Sequence, residues 1–190
     1  MIDPDDRAVA MANACYPEGV PDQFPIALFA PVPTPLGNPN AMVHRDGLLR
    51  ERIEDLEEVM FDLPQTELPL DHYFGADGVY CRQMFIPKGT LAIGKVHLTG
   101  HLNMLVVGDL TLLTVDGPVR IKAPFTFSSA AGTKKVVMAN EDCLFVTLHA
   151  TRETDVPTLE KTLAVDRFKD YDAYLAELPG VTVTHLEDLS

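Results

Sequence analysis

Three patterns of residues follow one another in this chain, two of apolar and polar positions and one of prolines. In residues 47–61 the apolar positions follow a four-three-four spacing, and charged side chains fill the positions between them. The apolar residues of this stripe are Leu49, Ile53, Leu56 and Met60. Such spacing is typical of one face of a helix. It predicts a helix over 47–61 that packs on its own domain or on a partner helix, with a connector to residue 70.

The second pattern, from residue 78 to residue 150, consists of short apolar runs separated by turn residues such as PKG, DGP and AAG. The runs are 79–86, 91–98, 102–107, 110–115, 119–123, 126–129, 135–139 and 143–150. Many short strands with no helix between them indicate a closed or sandwiched antiparallel barrel. Helical patterns return over 155–178, and residues 181–190 form a short tail.

The third pattern is the proline-rich start of the chain. Eight of the 15 prolines fall within the first 40 residues, and such a segment cannot pair as an inner strand. We expect one short helix here, capped by Asp3 with Pro4 at its first position, and an extended arm that lies on its own barrel or on a neighbouring subunit. The predicted organisation is an arm (1–46), a helix and connector (47–70), a barrel (71–154) and C-terminal helices with a tail (155–190).

Charge and cysteine content narrow the function classes. The formal net charge is −13, which argues against binding to nucleic acid or to anionic membranes, because both require a cationic surface. The sequence has no apolar run long enough to span a membrane, and its acidic start lacks the features of a signal peptide. Cys15, Cys81 and Cys143 are far apart, so we expect reduced thiols in a cytosolic protein.

The segment from Gly89 to Gly108 holds the candidate chemistry. Lys95, His97 and His101 lie between these glycines at fixed offsets. The spacing is that of the first cupin motif, G-x5-H-x-H-x3-E-x6-G, with lysine in place of the first histidine and histidine in place of the glutamate.

The second cupin motif, G-x5-P-x-G-x2-H-x3-N, is altered as well. If Gly132 is its anchoring glycine, Lys135 stands at the ligand position.

The region 71–156 resembles the cupin superfamily and, more narrowly, small cupin-like proteins encoded by tailed bacteriophages. The phrases that carry the resemblance are FIPKGT, GKVH, HLN, the DGP turn, KAP, AGTKK and HATRETD. The resemblance implies a mainly β fold with a cupin-type double-stranded antiparallel β barrel. The extended N-terminal arm and the flanking helices are predicted from the residue patterns described above, which lie outside the resemblance. It also implies a dimer or trimer, and a protein of the virion or the host cytoplasm.

Cupin metal sites use imidazoles and a carboxylate. Because side chains alternate along a strand, we expect Lys95 to share the inward face of His97, and its ammonium group would repel a metal ion. With Lys135 also facing inward, the site would suit an anion or a substrate carboxylate. His149 is either a third metal ligand beside His97 and His101 or a core histidine.

Three functions follow from these observations. The first is a non-catalytic structural or interaction protein of the virion, a head or tail decoration or adaptor, with no cofactor and with protein partners that include its own copies. The second is a dioxygenase or isomerase with a divalent metal (Fe, Mn, Ni or Zn), acting on a small anionic substrate. The third is a module that binds a sugar or another small molecule. The altered ligand set favours the first.

Overall fold

The computed structural model describes residues 41–75 and 77–179. These residues form two compact units: one contains 41–66 and 111–120, and the other contains 67–110 and 121–179. The predicted arm up to residue 40 and the tail 181–190 lie outside the described residues. None of the described helices is long and apolar enough to cross a membrane.

Helix α1 spans Ala41–Phe61. It begins six residues before the predicted start at residue 47, so 41–46 belong to the helix and not to an extended arm. Ile53 and Leu56 are buried, whereas Leu49 and Met60 are half-buried. The predicted apolar stripe is therefore the least exposed face of this helix.

Eleven strands and two further helices lie among the described residues. The strands are β1 (Leu70–Gly75), β2 (Val79–Ile86), β3 (Leu91–Ile93), β4 (Val96–His97), β5 (His101–Val107), β6 (Asp109–Thr114), β7 (Gly117–Lys122), β8 (Phe125–Ser129), β9 (Val136–Ala139), β10 (Cys143–Ala150) and β11 (Ala164–Val165). The helices are α2 (Val156–Leu163) and α3 (Phe168–Glu177). The runs predicted at 79–86 and 143–150 match β2 and β10, whereas β1 and β11 were not predicted.

The strands form three sheets. The largest has the order β1-β2-β10-β5-β8, a second has the order β3-β9-β6-β7, and β11 pairs with β4. All four pairings within the five-stranded sheet are antiparallel. The prediction of a mainly antiparallel β fold with flanking helices is confirmed.

The predicted strand 91–98 is broken at Gly94–Lys95. The strand before the break, β3, pairs with β9, and the strand after it, β4, pairs with β11. The amide of Gly94 donates to the carbonyl oxygen of Lys135 (2.9 Å). Because the chain changes from one sheet to another at this point, side chains before and after the break do not alternate between two faces as they would in a single strand.

Helix α2 begins where the side chain of Asp155 accepts a hydrogen bond from the amide of Thr158 (3.0 Å), a standard N-cap. Its buried residues Leu159 and Leu163 form a core cluster with Tyr80 of β2. This contact holds Tyr80 on the inner face of the five-stranded sheet, beside the histidines described next.

Candidate functional site

His97 lies on the short strand β4, which backbone hydrogen bonds hold on both sides. Its amide donates to the carbonyl oxygen of Thr133 (3.1 Å), and its carbonyl oxygen accepts from the amide of Gly132 (2.7 Å). Gly132 has φ +82°, and a Cβ there would lie 2.8 Å from Cε1 of Tyr171. The glycine is therefore required both by the backbone conformation and by the close approach of the ring.

His101 begins β5, directly after the bend at Thr99–Gly100. Its Nδ1 lies 3.1 Å from the carbonyl oxygen of Thr99. A carbonyl only accepts hydrogen bonds, so Nδ1 carries the proton and Nε2 keeps a free lone pair. A hydrogen bond of this kind fixes the orientation of a histidine for ligation through its other nitrogen.

His149 lies on β10, directly opposite Tyr80 of β2 in the strand register. The two rings stack, with centroids 6.1 Å apart. The hydroxyl of Tyr80 is also hydrogen-bonded to Nδ1 of His72 (2.7 Å). The third candidate histidine is thus held by a packed aromatic neighbour.

The structure brings the three candidate metal ligands together. The ring centroids of His97 and His101 are 3.9 Å apart, those of His101 and His149 are 4.9 Å apart, and those of His97 and His149 are 5.3 Å apart. One nitrogen from each ring lies within 4.8 Å of the others. All three side chains are buried, with exposed fractions of 3–6%. We call this group the histidine cluster.

Several polar atoms of this region have no hydrogen-bond partner within the described residues. They are Nδ1 of His97, Nδ1 of His149, Oγ1 of Thr147 and Oδ1 of Asn103. A buried polar atom without a partner costs about 1–3 kcal/mol, so native structures satisfy nearly all of them. The donor set of the histidine cluster therefore fits a ligand that accepts lone pairs, such as a metal ion.

The imidazoles of the histidine cluster are neutral near pH 7. Burial, followed by the charge of Lys135, lowers the pKa of His97 to about 2 and that of His101 to about 4. Burial, followed by the charge of His101, lowers the pKa of His149 to about 4. Neutral imidazole is the form that ligates metals.

Lys135 faces the histidine cluster, as the second motif predicted. Its Nζ lies 2.6 Å from Nε2 of His101 and donates to the free lone pair. Burial, followed by the charge of Arg82, lowers the pKa of Lys135 to about 7. The lysine therefore occupies the position on His101 that a metal ion would need.

Lys95 lies elsewhere, and the expectation that it shares the face of His97 is wrong. The side chain of Lys95 is 49% exposed and forms an ion pair with Asp166 (3.0 Å), whereas His97 is buried. The physical reason is the break between β3 and β4, which removes the strand alternation on which the prediction relied. Of the two candidate anion-binding lysines, only Lys135 belongs to the site.

Sequence reasoning missed Arg82, the second cation of the site. Arg82 of β2 lies opposite Thr147 of β10, and Thr147 lies opposite Asn103 of β5. Asn103 is fully buried and donates to Oγ of Ser129 (2.9 Å). The signal available in the sequence was that Arg82 is two residues from Tyr80 on a predicted strand, which places both side chains on one face.

Comparison with known proteins gives structural neighbours only, since no protein-family model and no curated protein sequence matches the chain. A cupin-superfamily protein of Desulfitobacterium hafniense DCB-2 is similar over 47% of this chain and 83% of its own, with 8% identity and a TM-score of 0.39. A cupin domain of Bordetella pertussis Tohama I is similar over 47% of this chain and 98% of its own, with 15% identity and a TM-score of 0.38.

A third neighbour is an RmlC-like cupin family protein with a double-stranded β-helix fold from Methanocaldococcus jannaschii. The similarity covers 48% of this chain and 86% of that protein, with 13% identity and a TM-score of 0.39. The neighbours are thus cupin-superfamily proteins, and the narrower resemblance to phage-encoded proteins stays a prediction.

Proposed function

We propose that this protein is a metal-dependent cupin enzyme in which His97, His101 and His149 bind one divalent transition-metal ion. The observation that carries the proposal is the convergence of three buried, neutral imidazoles whose ligand atoms lie within 4.8 Å of one another. Two of these imidazoles have an unpartnered Nδ1 within the described residues. Imidazole ligands suit zinc, iron, nickel and copper.

Three protein ligands leave coordination positions for a small substrate. When bound, the metal would supply Lewis-acid or redox chemistry at those positions. The chain's own residues would orient the ligands: the Thr99 carbonyl fixes the ring of His101, and Tyr80 packs against the ring of His149. The burial of the cluster excludes bulk water.

The proposal is tested by titrating chelator-treated protein with Co²⁺ and recording visible absorption and bound metal. We expect one equivalent to bind with a dissociation constant below about 10 µM, and the melting temperature to rise because only the folded state holds the site. His44→Gln, at a histidine of helix α1, is the matched control. Absence of stoichiometric binding at about 100 µM free cobalt would refute the proposal.

The outer face of the five-stranded sheet favours a second candidate function, protein interaction through self-association. Exposed apolar side chains share this face: Tyr73, Phe85, Leu102, Met104 and Val107, with exposed fractions from 37% to 54%. Exposed apolar patches of this kind mark interaction sites. The sequence favoured a structural protein of the virion that contacts other proteins, including its own copies. The exposed patch supports such protein contacts. We propose that a second copy of the chain covers this face.

Substitution of Leu102 by glutamate is expected to dissociate the oligomer, because a charge would be buried without a partner at the contact. The measurement is the molar mass in solution by light scattering, with Thr162→Glu, at an exposed position of α2 outside this face, as a control for added charge. A wild-type monomer, or a Leu102→Glu oligomer of unchanged mass, would exclude this role for the face.

A further inference from the structure

Arg82 is the only arginine whose charge lowers the pKa of all three cluster histidines and of Lys135, among the described residues with a resolved shift. The residue is half-buried on β2, in the same row of the sheet as Thr147 and Asn103. This row is adjacent to the one that contains Tyr80 and His149. Arg82 therefore lies on the same face of the sheet as His149, in the next row of side chains on that face.

This guanidinium has no ion-pair partner within the part of the chain that the structure describes. Two described carboxylates, Asp166 and Asp109, form ion pairs with Lys95 and Lys122. No described carboxylate contributes to the pKa shifts of the cluster histidines or of Lys135. Partial burial of a charge costs free energy that a counter-charge would offset, so this half-buried guanidinium favours an anionic partner.

We infer that Arg82 binds an oxyanionic group of the substrate, a carboxylate or a phosphate, beside the histidine cluster. The inference rests on the proposed function and adds the substrate class to it. A divalent ion on the three neutral imidazoles would bring two further positive charges next to Arg82, with no described carboxylate to balance them. An anionic substrate supplies that balance, whereas a cationic substrate would be repelled.

The geometry of arginine makes the recognition specific. Its planar guanidinium donates two parallel hydrogen bonds to a carboxylate or phosphate, which a neutral amide cannot accept with the same strength. Oγ1 of Thr147, opposite Arg82 and without a partner within the described residues, is a further donor for the same group.

The test measures binding of three small probes to the Co²⁺-loaded protein by calorimetry: malonate, inorganic phosphate and the neutral malonamide. We expect malonate or phosphate to bind at least about tenfold more tightly than malonamide, and Arg82→Gln to weaken that binding about tenfold, as a charge-assisted hydrogen bond is worth roughly 1.5–3 kcal/mol. The anion that binds more tightly, malonate or phosphate, shows whether the substrate group is a carboxylate or a phosphate. Arg152→Gln, at an exposed arginine, is the matched control.

The cobalt content of each variant separates the two proposals. If Arg82→Gln holds one cobalt and binds the anions as tightly as the wild type, Arg82 has no such role while the metal site stands. Malonamide binding as tightly as both anions would overturn the inference in the same way. If the wild-type protein takes up no cobalt, the proposed function itself is wrong, and the inference falls with it.

Discussion

Acidification of the metal-free protein from pH 7 to pH 4.5 is expected to remove roughly 7 kcal/mol of its free energy of unfolding. The cause is the histidine cluster, whose three pKa values lie at about 2, 4 and 4 in the folded protein. In the unfolded chain each histidine returns to about 6.5. The loss is comparable to the whole stability of many domains, which is about 5–15 kcal/mol.

The direction follows from proton binding. Between pH 6.5 and pH 4 the unfolded state takes up protons on these histidines and the folded state does not, so stability is present above pH 6.5 and is lost as the pH falls. Each histidine contributes at most about 1.4 kcal/mol per pH unit. Lys135, whose pKa is lowered to about 7, changes the free energy of unfolding in the same direction, but at higher pH. Stability contributed by Lys135 is lost as the pH falls from about 10.4 to 7.

Urea unfolding in the presence of a chelator at pH 7, 5.5 and 4.5 measures this dependence. The variant His149→Leu is expected to reduce the slope between pH 5.5 and pH 4.5 by about a third, because one of the three titrating groups is removed. His44→Gln, on helix α1, serves again as the histidine control. A slope that is the same in wild type and His149→Leu would mean that the cluster is not buried as described.

Local patterns sufficed to predict much of the fold. The predicted strands 79–86 and 143–150 correspond to β2 and β10 with the same bounds, and the four-three-four stripe marks the least exposed face of α1. These features depend on residues close in sequence, where periodicity is informative. The residues of β11 were predicted as part of a helix. They form a strand because they pair with β4, and the local pattern contains no information on that contact.

The candidate site was predictable where motif spacing reached it and, for His149, from its position on a predicted strand. The offsets of His97, His101 and Lys135 placed all three at one site. The position of Lys95 was wrong because its orientation depends on which sheet each half of the segment joins. Arg82 was missed because its neighbours come from the register of β2 with β10, two strands far apart in sequence.

Replacement of Lys135 by methionine is expected to raise the affinity for a divalent ion about a hundredfold. Nζ of Lys135 donates to Nε2 of His101 at 2.6 Å, and Nδ1 of the same ring is bound to Thr99. The lone pair on Nε2 is therefore the one that a metal would need, and the metal must displace the lysine from it. Methionine removes both this competition, worth about 1 kcal/mol, and a charge repulsion of about 2 kcal/mol or more at a separation of a few ångströms.

The measurement is competition for Co²⁺ against a chelator of known affinity at pH 6, where Lys135 carries its proton. Lys95→Met is the matched control: it removes the same charge from an exposed ion pair with Asp166 and is expected to leave the affinity unchanged. His149→Leu should act in the opposite direction, since it removes one of the three ligands. If Lys135→Met instead lowers the affinity, the lysine assists the metal, and the competition inferred from its contact with His101 is wrong.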